Sequence, residues 1–151
     1  TWEHRSLMPN EAEMANLAHY LIAGGFVMFE APNRTAPEAI VPYGEALEKY
    51  GGLVQGKDYW TERLSEDHTI FHAFFDLQGG MPNNSHTSEG KSGLLPWNYM
   101  TGHFIKGRLV GLTTNAWSWD SPAGLRLAVN VVVFAVTQEG SITQRLMQAV
   151  H

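Results

Sequence analysis

His68, His72 and Asp76 stand in an H-x3-H-x3-D pattern. On a helix, spacings of four place all three on one face, and on a strand the even spacing does the same. Two imidazoles and a carboxylate are a suitable donor set for zinc or iron. A structural reading competes: His68 starts a helical turn, His72 packs with Phe71 and Phe74, and Asp76 caps a turn. His86, His103 and Asp120 could join the set in space, and seven His in 151 residues keep acid–base or metal chemistry open. Taken together, His68, His72, Asp76, His103 and Asp120 define a hydrolase reading, metal-dependent or carboxylate-based.

A second constellation follows two strand-like runs. Asn115, Trp117, Trp119 and Asp120 come after one apolar run, and Glu30 and Asn33 after another. In a parallel sheet, loops leaving the carboxyl ends of strands form the ligand crevice. Aromatic faces with a few polar groups suit sugars, flat ligands or protein partners. The structural alternative is that both Trp residues plug the edge of the sheet.

Other chemistries are excluded by composition or spacing. There is no Cys, which removes disulfides, thiolate metal sites, iron–sulfur clusters and a thiolate nucleophile. "SEGKSG" (88–93) resembles a phosphate loop, but the pattern G-x4-G-K-S/T requires Gly where Ser85 stands, and no strand precedes it. Neither G-x-G-x-x-G after a strand nor G-x-S-x-G occurs. No catalytic residue or organic cofactor is therefore assigned, and metal stays a candidate only at His68, His72 and Asp76.

The elements that would position these residues follow from periodicity. Asn10 caps a helix whose Glu13 reaches back, with Met14, Leu17, Ala18, Leu21 and Ile22 at helical spacing. Gly24-Gly25 ends it, and Phe26–Phe29 reads as a strand buried on both faces. A helix over Ala36–Tyr50 contains Pro42, which breaks or delays it, and Gly51-Gly52 closes it. Residues 53–64 form a connector with one short strand. Asp67 caps a turn over His68–Phe71, and Ala73–Leu77 is a strand or a buried turn. Gly79–Pro96 is irregular. Arg108–Thr114 is a second buried strand, Leu125–Thr137 a buried helix apolar all round, and Ser141 caps a last helix carrying Ile142, Leu146 and Val150.

Bulk properties agree with one folded unit. Apolar residues make up 44% and charged residues 17% of the chain, which excludes disorder. The net charge of −5 argues against a nucleic-acid partner. No apolar run reaches the ~20 residues a spanning helix needs. The chain opens at Thr1 on what reads as a strand end or loop. The expectation is a single α/β domain over residues 1–151, belonging to a longer chain.

Four segments in order, "LAHYLIAGGFVMFE" (17–30), "DHTIFHAFFDL" (67–77), "GRLVGLTTN" (107–115) followed by "WSWD", and "LAVNVVVFAVT" (127–137), resemble the bacterial family catalogued as domain of unknown function 4159. The resemblance covers most of residues 10–137 and is poor over 31–60 and 78–106. It implies a flavodoxin-like, glutamine-amidotransferase-like α/β fold: a three-layer sandwich with a mostly parallel sheet and helices on both faces, here lacking its first strand. It also implies a periplasmic or cell-envelope setting. The sequence departs from the family pattern at Glu30-Ala31, where an acidic pair is usual, and at Thr69, where Pro is usual. Amidotransferases work through a Cys thiolate on a strand–helix elbow, and this chain has none. Fold and chemistry therefore part company.

The expected function is a non-catalytic binding or scaffolding domain, a subunit of a larger cell-envelope assembly with a protein partner. The missing nucleophile and the Trp-rich loops (Trp97, Trp117, Trp119) support it. The alternatives are a carbohydrate or small-ligand module at the strand-end crevice and the hydrolase above. A large exposed apolar patch favours the first, and a polar-rimmed pocket the second.

Overall fold

In the computed structural model, residues 9–31, 43–82, 99–115 and 121–150 are described. Helix α1 spans Glu11–Ile22, and its Asn10 N-cap makes the expected capping box with Glu13. Strand β1 is Val27–Ala31, helix α2 Gly44–Gly51 and strand β2 Tyr59–Arg63. A 3-10 turn covers Thr69–His72, strands β3 and β4 are Thr101–Ile105 and Arg108–Asn115, and helices α3 and α4 are Pro122–Thr137 and Ile142–Val150. Gly52, at φ 64°, closes α2 as the sequence predicts. Residues 36–42 of the expected second helix lie outside the described residues.

The four strands form one mixed sheet in the order β1-β4-β3-β2. Only β1 and β4 run parallel, while β3 is antiparallel to both β4 and β2. This corrects the expectation of a mostly parallel, flavodoxin-like three-layer sandwich. The cause is local. β3 and β4 are joined by two residues, Lys106 and Gly107, both at positive φ (48° and 82°). A two-residue loop of that kind closes a hairpin, and a parallel pair needs a crossover of a dozen or more residues. A one-residue register shift between His103 and Phe104 leaves Val110 as the extra residue of β4.

Two apolar cores lie on opposite faces of the sheet. Ala18, Leu21, Ala46 and Leu47 of α1 and α2 pack with Ile105 and Val110. Ile70, Phe71, Leu127 and Val131 of the 3-10 turn and α3 pack with Phe104, Leu109 and Leu112. Neighbouring residues such as Leu109 and Val110 thus feed opposite cores, as strand alternation requires. β1 is less buried than expected: Val27, Met28 and Phe29 are only partly covered, and among the described residues no strand pairs with its outer side.

Arg108 fastens the layers. Its guanidinium donates to the carbonyls of Gly25 (3.1 Å) and Leu21, placing a cation where α1 presents the negative end of its dipole. Asn130, fully buried in α3, accepts from the Phe74 and Phe75 amides (3.2 and 2.7 Å) and donates to the Phe75 carbonyl (2.8 Å).

Gly24, at φ 113°, docks α1 against the turn between α3 and α4. Its carbonyl accepts from Ile142 N (3.2 Å), and a Cβ there would lie 2.5 Å from Gly140 O and 2.8 Å from Ile142 N. Both are backbone atoms, so neither can rotate away. Gly24→Ala is expected to lower stability by roughly 2 kcal/mol or more, read as a shift of the urea midpoint. A shift below about 0.5 kcal/mol would show that the turn is free to move.

Candidate functional site

The carboxyl ends of β1 and β4 lie side by side, Glu30 opposite Thr114 and Ala31 opposite Asn115 in register. The same end of the sheet receives the chain through Tyr99 and Met100 into β3, since Thr101 pairs with Thr113. Of the predicted crevice residues, the structure thus places Glu30, exposed, and the backbone of Asn115 on adjacent strand ends. Asn33, Trp117, Trp119 and Asp120 lie outside the described residues.

Just beneath this end, on the α1–α2 face, sits a buried polar group that periodicity did not single out. His103 is 1% exposed, and its Nε2 lies 2.6 Å from Thr113 Oγ1. The Tyr43 ring packs against His103 at 5.3 Å between centroids and against Phe29 at 5.5 Å. Tyr43 Oη, Thr101 Oγ1 and His103 Nδ1 are buried and make no hydrogen bond among the described residues; Thr114 Oγ1 shares that state. Each such atom costs about 1–3 kcal/mol. Burial pulls the His103 pKa down to about 4, so the ring is neutral at physiological pH. Burial likewise raises the Tyr43 phenol well above its ordinary value. A neutral imidazole, a protonated phenol and two hydroxyls form a set of hydrogen-bonding groups without net charge. The one advance sign was His103, an imidazole in a segment with no assigned element.

The metal candidates do not converge on one point. The His68 Nδ1 accepts from Ile70 N (3.2 Å), making His68, rather than Asp67, the N-cap of the 3-10 turn, and its ring meets Phe134 edge-on at 5.6 Å. Burial lowers the His68 pKa, with the Glu62 carboxylate opposing. His72 and Asp76 pair at the surface, Nδ1 to Oδ1 at 2.5 Å, and Gln78 donates to the second carboxylate oxygen (2.6 Å). The Gln78 hydrogen bond, then His72, holds the Asp76 carboxyl below its usual range. Among the described residues no three His, Asp or Glu side chains gather as a metal site. His103 faces Phe29 and Tyr43, whereas Ile70 and Phe71 of the 3-10 turn pack on the opposite face. The sheet therefore separates two parts of the hydrolase set; Asp120 and His86 lie outside the described residues.

The other notable surface belongs to α3 and α4. Along α3, Leu127, Asn130 and Val131 face the sheet. The helix is not buried all round, as its composition suggested. Leu125, Val132 and Val136 are exposed, as are Leu146, Met147 and Val150 of α4, a helix that buries no residue. An apolar groove of about 480 Å³ runs past Tyr20, Val132 and Val136 to Ile142. A second, of about 630 Å³, continues it through Val136 and Thr143 to Met147.

The sheet core and α3, but not α4, fall within a family match that covers most of the chain. The chain belongs to the family described as Domain of unknown function (DUF4159), which matches residues 1–136. No curated protein and no solved structure matches the chain.

Proposed function

We propose that the chain is a non-catalytic binding domain that docks through the outward face of α3 and α4, as one subunit of a larger assembly. The observation that carries this reading is the exposed apolar run of Val132, Val136, Leu146, Met147 and Val150 on two adjoining helices. Contiguous apolar surface beyond scattered single residues marks interaction sites. A periplasmic or cell-envelope setting for that assembly is what the family resemblance adds.

The test is native mass spectrometry of the protein isolated from its source. Wild type is expected in a heavier stoichiometric complex, and the double variant Val136→Glu/Met147→Glu as a lone, folded chain. Both side chains are exposed, so stability should change by no more than ~0.5 kcal/mol. A variant that stays in the complex refutes the docking face.

The buried polar group favours a second reading, a small-ligand or carbohydrate site at the strand ends. Tyr43→Phe separates the two roles of that hydroxyl. If it serves no partner, removing an unpaired buried hydroxyl should stabilise the chain by about 1 kcal/mol in urea melts. A loss of stability would show that the hydroxyl already has a partner within the protein and would weaken the ligand reading.

A further inference from the structure

A cavity of about 430 Å³ opens at the end of the sheet where β1 and β4 present their carboxyl ends. Arg63, the last residue of β2, pairs with Thr101, and Thr101 with Thr113, which sets the cavity at that end. Its volume is within the range of small-molecule sites, about 300–1,000 Å³. Its inner wall is apolar and buried: Leu64, Phe71, Met81 and Met100. These side chains belong to the core on the α3 face, so the cavity and His103 lie on opposite faces of the sheet.

Two opposite charges share the rim. Arg63 and Glu66 both line the cavity and are exposed. The ion pairs among the described residues are Lys49–Glu11 and His72–Asp76, so Arg63 and Glu66 do not neutralise each other. Each is held from the protein side. The Arg63 guanidinium carbon lies 4.1 Å from the centroid of the Tyr99 ring. Stacking of this kind occupies a face of the guanidinium and leaves its N–H edge for a carboxylate. Glu66 backs on Gly80, where φ is 74° and an added Cβ would stand 2.9 Å from Glu66 Cα and 3.1 Å from its Cγ. That close approach fixes the start of the Glu66 side chain, and Gly80 N, donating to Leu77 O (3.0 Å), fixes the turn.

From these observations we infer that the cavity takes a free apolar α-amino acid, with its carboxylate on Arg63, its ammonium on Glu66 and its side chain against Leu64, Phe71, Met81 and Met100. A zwitterion uses both rim charges, whereas a ligand of one sign leaves the other group without a counter-charge. A peptide end offers one charge, and a sugar offers none. The apolar wall selects a side chain that gains by leaving water. The inference goes beyond the docking reading and does not depend on it, since no described residue of α3 or α4 lines the cavity.

The experiment is a titration of the isotope-labelled protein with L-leucine, followed by NMR. Saturable shifts are expected at the amides of Ser65, Glu66, Gly79, Gly80 and Met100. Glycine should bind roughly tenfold more weakly, because it lacks the apolar body. N-acetyl-leucine, which lacks the ammonium, and leucine amide, which lacks the carboxylate, should each bind about fivefold more weakly. Arg63→Gln should weaken leucine about fivefold and leave leucine amide unchanged. Glu66→Gln should weaken leucine to a similar degree and leave N-acetyl-leucine unchanged. Both side chains are exposed, so both variants are expected to fold. No saturable shift up to about 10 mM leucine, or shifts confined to other residues, overturns the inference. Unchanged leucine binding in either variant overturns it too. If N-acetyl-leucine or leucine amide binds as well as leucine, the occupant is a peptide end and the free amino acid falls. The docking reading stands in each of these cases, because its own test acts on α3 and α4.

Discussion

Asn130→Leu is expected to cost about 3 kcal/mol of folding stability, the largest single loss outside the apolar cores. The side chain is fully buried and its amide serves three backbone groups, Phe74 N–H, Phe75 N–H and Phe75 C=O. Leu has similar volume but leaves two donors and an acceptor without a partner. The loss stays near 3 kcal/mol, because the Phe74 side chain is 67% exposed and water can reach part of this turn. Asn130→Asp refines the test. A carboxylate can still accept from both amides, but it sets an oxygen against the Phe75 carbonyl where a donor stood. Its loss should be comparable at neutral pH and smaller in acid, where a protonated carboxyl regains one donor. Urea melts read both variants. A loss under ~1 kcal/mol for Asn130→Leu would mean that α3 is not anchored by this contact.

The second large effect is a loss of stability as pH falls through the weakly acidic range. His103 is neutral and buried in the folded chain with its pKa pulled down to about 4, against 6.5 when unfolded. Between those values the unfolded chain binds a proton that the folded chain refuses. Stability therefore rises with pH across this window, is complete above about 6.5, and is lost progressively towards pH 4. The full effect is on the order of 3 kcal/mol. The glutamine variant His103→Gln keeps an amide that can meet Thr113 Oγ1 but does not titrate. Its stability should fall less steeply over the same window, the slope that remains coming from His68, whose pKa burial also lowers, and from carboxylates that begin to protonate near the lower end. Equal slopes for wild type and variant would mean that water reaches the ring. The same comparison bears on the strand-end reading, since a ligand contacting His103 would bind a neutral imidazole.

Much of the local structure was legible in the residues. The Asn10–Glu13 capping box, the Gly52 stop, the Arg108–Thr114 strand and the Ser141 cap depend on neighbours within about four positions, and side-chain hydrogen bonds or φ preferences act at that range. Family membership was legible for the same reason: ordered short segments carry it. The 3-10 turn was placed correctly in position but not in mechanism, because His68 displaced Asp67 as its cap.

Sheet direction depended on a part of the chain that composition described poorly. β3, "TGHFI", has a mid-strand Gly and His and no clean alternation, since all five residues are buried. Without β3 the Lys106-Gly107 hairpin turn could not be recognised, and the two buried runs now seen as β1 and β4 read as members of a mostly parallel sheet. The division of α3 into a covered and an uncovered face is likewise tertiary. Leu127 and Val132 are alike in composition, and only the position of the sheet buries one and exposes the other. Sequence alone determined the α1 cap, the Gly52 stop, the β4 strand and the Ser141 cap, because those choices are made over one or two turns of backbone. Tertiary structure decided that His103 meets Thr113 and Tyr43, that the sheet separates it from His68 and His72, and that α3 and α4 leave an apolar face uncovered. Those outcomes depend on which elements share a face, and chain-distant packing sets that.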